Sequence, residues 1–208
     1  EFSCAINNSG GVVCWGSGWA GQLGNNDSWE SWQPVNVTGL SSGVSQISAG
    51  LFHACAVTNA GAVKCWGMND TGQLGIGIMD WSMIPVDVTG LSSGVSVVAT
   101  GASHTCALLT NGTVKCWGLN DGGELGNGTN DNSSIPVTVS GLSNAVAISV
   151  GSDQSCALTS LGGVKCWGRW TTNVPTDVNG LTSGVSKISS GSYFNCALLN
   201  DSSVKCWG

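Results

Sequence analysis

Apolar and polar residues alternate along this chain in short runs, and each run stops at a glycine. Val44-Ser45-Gln46-Ile47-Ser48 is one such run, closed by Gly50, and Gly101, Gly151 and Gly191 close its counterparts. Alternation with a period of two predicts short strands buried on one face. No window repeats apolar residues at helical spacing with charges between them, so little helix is expected. Each run is followed by a segment bracketed by two cysteines, then by a proline (Pro34, Pro85, Pro136, Pro175). After the proline comes a run such as Val35-Asn36-Val37. Proline at a strand start suits an outer edge, where its missing N–H costs no ladder bond. Each period therefore reads as four strands: a β-branched run, the two arms of a Cys…Cys hairpin, and a proline-led edge. A Gly-Leu-Ser/Thr turn leads to the next period.

The hairpin recurs five times, as Cys4…Cys14-Trp15-Gly16, Cys55…Cys65-Trp66-Gly67, Cys106…Cys116-Trp117-Gly118, Cys156…Cys166-Trp167-Gly168 and Cys196…Cys206-Trp207-Gly208. The steps between first cysteines are 51, 51, 50 and 40. The stretch Gly-Gln-Leu-Gly, at Gly21–Gly24 and Gly72–Gly75, is missing after Trp167, which accounts for the short step. Four short strands per repeat of this length indicate propeller blades. The repeats run over about residues 1–38, 39–89, 90–140, 141–179 and 180–208 of a single propeller domain. The first begins at its second strand and the last ends after its third, so three complete blades stand between two incomplete ones.

The run Gly101-Ala102-Ser103-His104-Thr105-Cys106-Ala107-Leu108, then Gly112-Thr113-Val114-Lys115-Cys116-Trp117-Gly118, then Gly123-Glu124-Leu125-Gly126, resembles the repeat of the regulator of chromosome condensation (RCC1) family. The resemblance covers nearly the whole chain and has the character of a secreted, bacterial-type variant with paired cysteines. It implies an all-β propeller, usually of seven blades, with strands ordered from inner to outer in each. Five blades are fewer than that ring. The chain is a fragment, a small ring, or an arc whose ends another copy completes.

Two turn registers are open for the hairpins. A three-residue loop with a left-handed glycine, such as Thr110-Asn111-Gly112, sets Cys106 opposite Cys116. A two-residue Asn-Gly turn puts them on opposite faces. Ten cysteines paired five times with none left over favour the first register and five bridges, Cys4–Cys14, Cys55–Cys65, Cys106–Cys116, Cys156–Cys166 and Cys196–Cys206. The competing reading is ten buried thiols between blades. Bridges imply an oxidising compartment, hence secretion or the cell surface.

Charge narrows the partners. The chain carries 6 basic and 12 acidic residues, a formal charge of −6, and its basic residues are scattered. Nucleic acid and anionic membrane surfaces need clustered Lys and Arg, so neither is an expected partner. No apolar run reaches membrane-spanning length and no signal peptide is visible. The start at Glu1-Phe2 without Met reads as a processed or excised segment.

Catalytic chemistry is hard to find. His53 and His104 occupy one repeat position, matched elsewhere by Phe2, Gln154 and Phe194, which points to a structural role hydrogen-bonding a turn. Asp70 and Asp121 sit in matched turns, where Asn and Asp support local backbone bonds. Asn127 to Ser134 is rich in oxygen ligands but lacks the spacing of a calcium loop. Lys64, Lys115, Lys165 and Lys205 all precede the second cysteine, as stems on the sheet with solvated heads. No enzyme, metal site or cofactor is expected. Asn-x-Ser/Thr triplets such as Asn36-Val37-Thr38 arise freely in this composition.

Positions that differ between repeats are free to carry specificity. Five of the ten tryptophans are periodic and read as packing (Trp15, Trp66, Trp117, Trp167, Trp207). Trp19, Trp29, Trp32, Trp81 and Trp170 are not, and all are expected in third-to-fourth-strand connections, with Met79 and Met83 beside Trp81. Exposed Trp and Met on one side of a scaffold imply a partner. The expectation is a recognition module that binds a protein or glycan through these residues. Homo-oligomerisation to complete the propeller, a lectin-like site at Trp29 and Trp32, and a ligand-free structural fragment are the alternatives. A fourth, loops that bury their own tryptophans, needs no partner.

Overall fold

The computed structural model describes residues 1–208 as eighteen strands in five antiparallel sheets, without helix. The first sheet is β1 (Phe2–Ile6), β2 (Val12–Gly16) and β3 (Ser31–Asn36). The second is β4 (Val44–Ala49), β5 (His53–Thr58), β6 (Val63–Gly67) and β7 (Ser82–Asp87). The third is β8 (Val95–Thr100), β9 (His104–Leu109), β10 (Val114–Gly118) and β11 (Ser133–Thr138). The fourth is β12 (Ala145–Val150), β13 (Gln154–Thr159), β14 (Val164–Gly168) and the short β15 (Thr176–Asp177). The fifth is β16 (Val185–Ser190), β17 (Asn195–Leu199) and β18 (Val204–Trp207). Each sheet is a meander in chain order, and the first strands β4, β8, β12 and β16 lie side by side. These are propeller blades, with three complete and two incomplete as the repeat pattern implies.

The cysteine hairpins adopt the three-residue register. Leu109 N–H donates to Thr113 O at 2.9 Å, Gly112 is left-handed at φ 82°, and Cys106 lies opposite Cys116. All five bridges form, with Cα atoms 4.0–4.1 Å apart. In the fifth hairpin Ser202 takes the left-handed position at φ 69°. Three of the four prolines differ from expectation, whereas Pro175 stands immediately before β15 as expected. Pro34 lies inside β3, because Ser31 already pairs with Gly16 and the register shifts between Cys14 and Gly16. A bulge leaves an unpaired residue in the ladder, which suits a residue without N–H.

Adjacent blades are joined by a repeated polar clamp within an apolar interface. Trp66 Nε1 donates to Gln22 O, Trp117 Nε1 to Gln73 O and Trp167 Nε1 to Glu124 O, each at 2.9 Å. Gly24, Gly75 and Gly126 are left-handed, and a Cβ on any of them would lie 2.7 Å from the next blade's indole. That contact explains the final glycine of Gly-Gln-Leu-Gly. The core beside each clamp combines two blades; Cys55, Cys65 and Leu74 pack with Ala107 and Trp117. Trp66, Trp117 and Trp167 are fully buried, whereas Trp207 follows the connection without this turn and is only half-buried.

The histidines also join blades, and do not bond a turn as expected. His53 Nε2 lies 2.9 Å from Thr105 Oγ1, and His104 Nε2 lies 2.9 Å from Ser155 Oγ. Thr105 donates its own proton to Gln73 O and Ser155 to Glu124 O, so each imidazole is the donor. Both are therefore neutral Nε2–H tautomers whose Nδ1 has no partner. Burial lowers His53 to about 3, with repulsion from His104 adding to it, and lowers His104 to about 4. In the next blade Asn195 Nδ2 donates to Gln154 Oε1 at 2.8 Å in their place.

Candidate functional site

Strands one and three of every blade end on the same side, so the first-to-second and third-to-fourth connections share one face. Met68 N–H bonds Phe52 O and Arg169 N–H bonds Asp153 O, which ties the two loops of a blade together. Asn69 and Asn120 shape the long connections. Asn69 Oδ1 accepts from Leu74 N–H at 2.8 Å, while Nδ2 donates to Ile78 O and Asp80 O. Asn120 repeats this with Leu125, Thr129 and Asp131. The asparagines supply these backbone bonds. Asp70 instead reaches outward and accepts from Trp81 Nε1 at 2.6 Å, a correction to its expected role.

The non-periodic tryptophans stay at the surface, between 43% and 80% exposed, so the loops do not bury their own rings. Trp19 meets Phe52 edge-on at 5.0 Å between centroids and Trp81 at 5.8 Å. Three rings from the first and second blades thus form one cluster. Met79 is exposed beside it on the same connection as Trp81. Met83 lies on β7 against the first blade and is still 43% exposed. Its side chain lies where a Cβ on the left-handed Gly21 would be, and its carbonyl accepts from Asn26 N–H. Ser134 and Asn173 hold that position against Gly72 and Gly123. Trp29 faces Trp19 across a cleft of about 290 Å³, bounded also by Gly18 and Glu30. Trp32 lies on β3 itself and not in a connection. Trp170 forms a separate pair with Tyr193 at 5.8 Å, between the fourth and fifth blades.

Phe52, Tyr193 and Arg169 are absent from the sequence-derived candidates. For Phe52 and Tyr193 the signal is the residue three before the first cysteine, which reads Glu1, Phe52, Ser103, Asp153 and Tyr193. For Arg169 it is the residue after Cys-Trp-Gly, which reads Ser17, Met68, Leu119 and Arg169. Lys64 and Lys165 have ion pairs the spacing did not reveal, with Asp87 at 2.7 Å and Asp177 at 2.8 Å.

The face is acidic. Asp27, Glu30, Asp70, Asp80, Asp121 and Asp131 are exposed on the long connections, against the lone cation Arg169 on the short one. Glu124 is the exception, buried where the earlier repeats have Gln22 and Gln73. Burial raises its pKa, opposed by the Gly122 N–H that donates to Oε2 at 2.9 Å and reinforced by Asp153 and Asp121. The cavity at the inner strands is about 270 Å³ and is lined by Gly50, Gly101, Gly151 and Gly191 with neighbouring Ala, Ser, Thr, Leu and Val. No ionisable side chain lines it.

Five four-stranded or three-stranded blades, the first four joined by an indole clamp, define an all-β, repeat-built propeller protein. The regulator of chromosome condensation (RCC1) repeat matches residues 9–57, 60–108 and 111–158. A second form of that repeat matches residues 44–73, 95–124 and 185–208. The chain belongs to this family. It is 34% identical over 143 residues to the ultraviolet-B receptor UVR8 of Arabidopsis thaliana, covering 67% of this chain and 32% of that protein. It is 39% identical over 140 residues to the E3 ubiquitin-protein ligase HERC2 of Homo sapiens, covering 66% of this chain and 3% of that protein. Human WBSCR16 superimposes with a TM-score of 0.88 at 24% identity, over all of this chain and 59% of that one. Yeast RCC1 (Prp20), solved bound to Kap60, superimposes at 0.86 and 22% identity, over all of this chain and 54% of that one. At these identities the structural likeness concerns the fold.

Proposed function

We propose that this chain is a non-catalytic recognition module that holds a protein partner on its loop face, centred on Trp19, Phe52 and Trp81. The contact of Trp19 with both Phe52 and Trp81 at the loop face carries the reading. Aromatic clusters on a rigid frame bind with little ordering cost. The surrounding carboxylates select a partner with cationic as well as apolar side chains, and the Trp19–Trp29 cleft with Glu30 suits an ammonium or guanidinium head. Yeast RCC1, a member with this fold, is a protein binder in its complex with Kap60. Five bridges and the absence of any helix long and apolar enough to cross a membrane fit secretion or display at a cell surface.

Selection of a random displayed-peptide library on the chain tests this, with counter-selection on a Trp19→Ala, Trp81→Ala variant. The reading expects enriched peptides that combine Lys or Arg with aromatic residues and bind more weakly as salt rises. Enriched peptides that bind the variant equally, or that lack cations, would overturn it.

A further inference from the structure

The fourth-to-fifth blade boundary differs from the others. Its connection is residues 169–175, where the earlier blades use residues 68–81 and 119–132. The omitted turn is the one that fills the boundary elsewhere; Gly122, for example, sits against Arg169 between the third and fourth blades. At this boundary Asp153, Arg169, Trp170 and Tyr193 line an open groove that reaches Gly208, the last residue of the sequence.

Three observations give this groove a chemistry. Arg169 is the chain's single arginine; it makes no ion pair, and its guanidinium lies 5.7 Å from the Trp170 ring centroid. Trp170 and Tyr193 present adjoining exposed rings. Trp170 is also left-handed at φ 67°, a conformation that favours glycine, so the backbone is held in a strained state that displays an indole. Glycine would serve the turn alone.

We infer that this groove binds an acidic saccharide, a sugar whose ring carries a carboxylate. The guanidinium fork matches a carboxylate bidentately. Indole and phenol rings bury the apolar face of a sugar, and the Asp153 carboxylate accepts from its hydroxyls. On the acidic loop face Arg169 is the one cationic side chain carried by a connection. The inference is independent of the Trp19 cluster.

Calorimetric titration of the intact chain with trigalacturonate, its methyl ester and a sulfated trisaccharide tests it. The free acid is expected to bind about tenfold or more tightly than the ester, as a charge-assisted pair allows. Arg169→Met removes that preference. Trp170→Gly abolishes binding while the chain unfolds at the same or a higher temperature, because glycine relieves the left-handed turn. Three results overturn the inference: no binding of the acid, equal binding of acid and ester, or binding unchanged by both variants. Preference for the sulfated sugar overturns the carboxylate assignment.

Discussion

Trp19 of the first blade meets Phe52 of the second edge-on, with ring centroids 5.0 Å apart. Both occupy positions that change between repeats, and both lie at the loop face. Beneath them the same two blades are joined by Trp66 and the Gln22 carbonyl, a pair that recurs at the next two boundaries. The boundary thus has a recurring interior clamp and a non-recurring aromatic surface, so the clamp and the proposed recognition surface are separable residues.

Replacing the clamp should cost stability. Trp117→Phe deletes the bond to Gln73 O and leaves that buried carbonyl short of one donor, though Thr105 still bonds it. A loss of about 1–3 kcal/mol is expected, read as a lower denaturant midpoint at unchanged slope.

Each bridge closes a short hairpin loop. Replacing both Cys106 and Cys116 by Ala should destabilise the chain by about 3 kcal/mol, on a chain-entropy basis. Full reduction should have a far larger effect than any one pair, measured as unfolding temperature with and without reductant.

Acid should weaken the fold through the two histidines. Their folded pKa values, about 3 and about 4, lie below the unfolded value of 6.5. The stability they allow is complete above pH 6.5 and is lost progressively as pH falls toward 4 and then 3. His104→Gln, using the side chain already present at Gln154, should flatten that acid limb in thermal unfolding across pH 7 to 4. An unchanged limb would assign acid sensitivity to other groups.

Glu124 acts with the opposite sign. Its raised pKa means that the protonated acid fits the site, so stability is full below the unfolded value and declines as pH rises through the folded one. Glu124→Gln restores the amide found at Gln22 and Gln73 and should stabilise the chain by about 1 kcal/mol at neutral pH. Little change is expected at pH 4.

Much of this architecture is legible in the repeat. The Cys…Cys spacing and Gly112 leave two registers open, and the fivefold pairing of the cysteines favours the one observed, because one residue of slip inverts every side chain. Of the periodic tryptophans, Trp66, Trp117 and Trp167 read correctly as buried packing, while Trp15 and Trp207 are half-buried. The acceptors of the three lie 43 or 44 residues away, where no local pattern shows them. The histidines read locally as turn residues for the same reason: their partners Thr105 and Ser155 belong to the next blade. At the site, variation between repeats exposes Trp19, Trp81 and Trp170. Their grouping with Phe52 and Tyr193 depends on which loops adjoin across a blade boundary, which is a property of the assembled propeller. Trp32 and Met83 read as connection residues because the bulge before each proline, which lengthens the outer strand backward, leaves no mark in the alternation.

The affinity of a cationic, aromatic peptide selected on the chain, measured for the Trp19→Ala, Trp81→Ala variant against the unaltered protein, tests the loop face most directly. Loss of about tenfold or more with the unfolding midpoint unmoved is the expected result. Equal affinity in the two proteins, at equal stability, would contradict it.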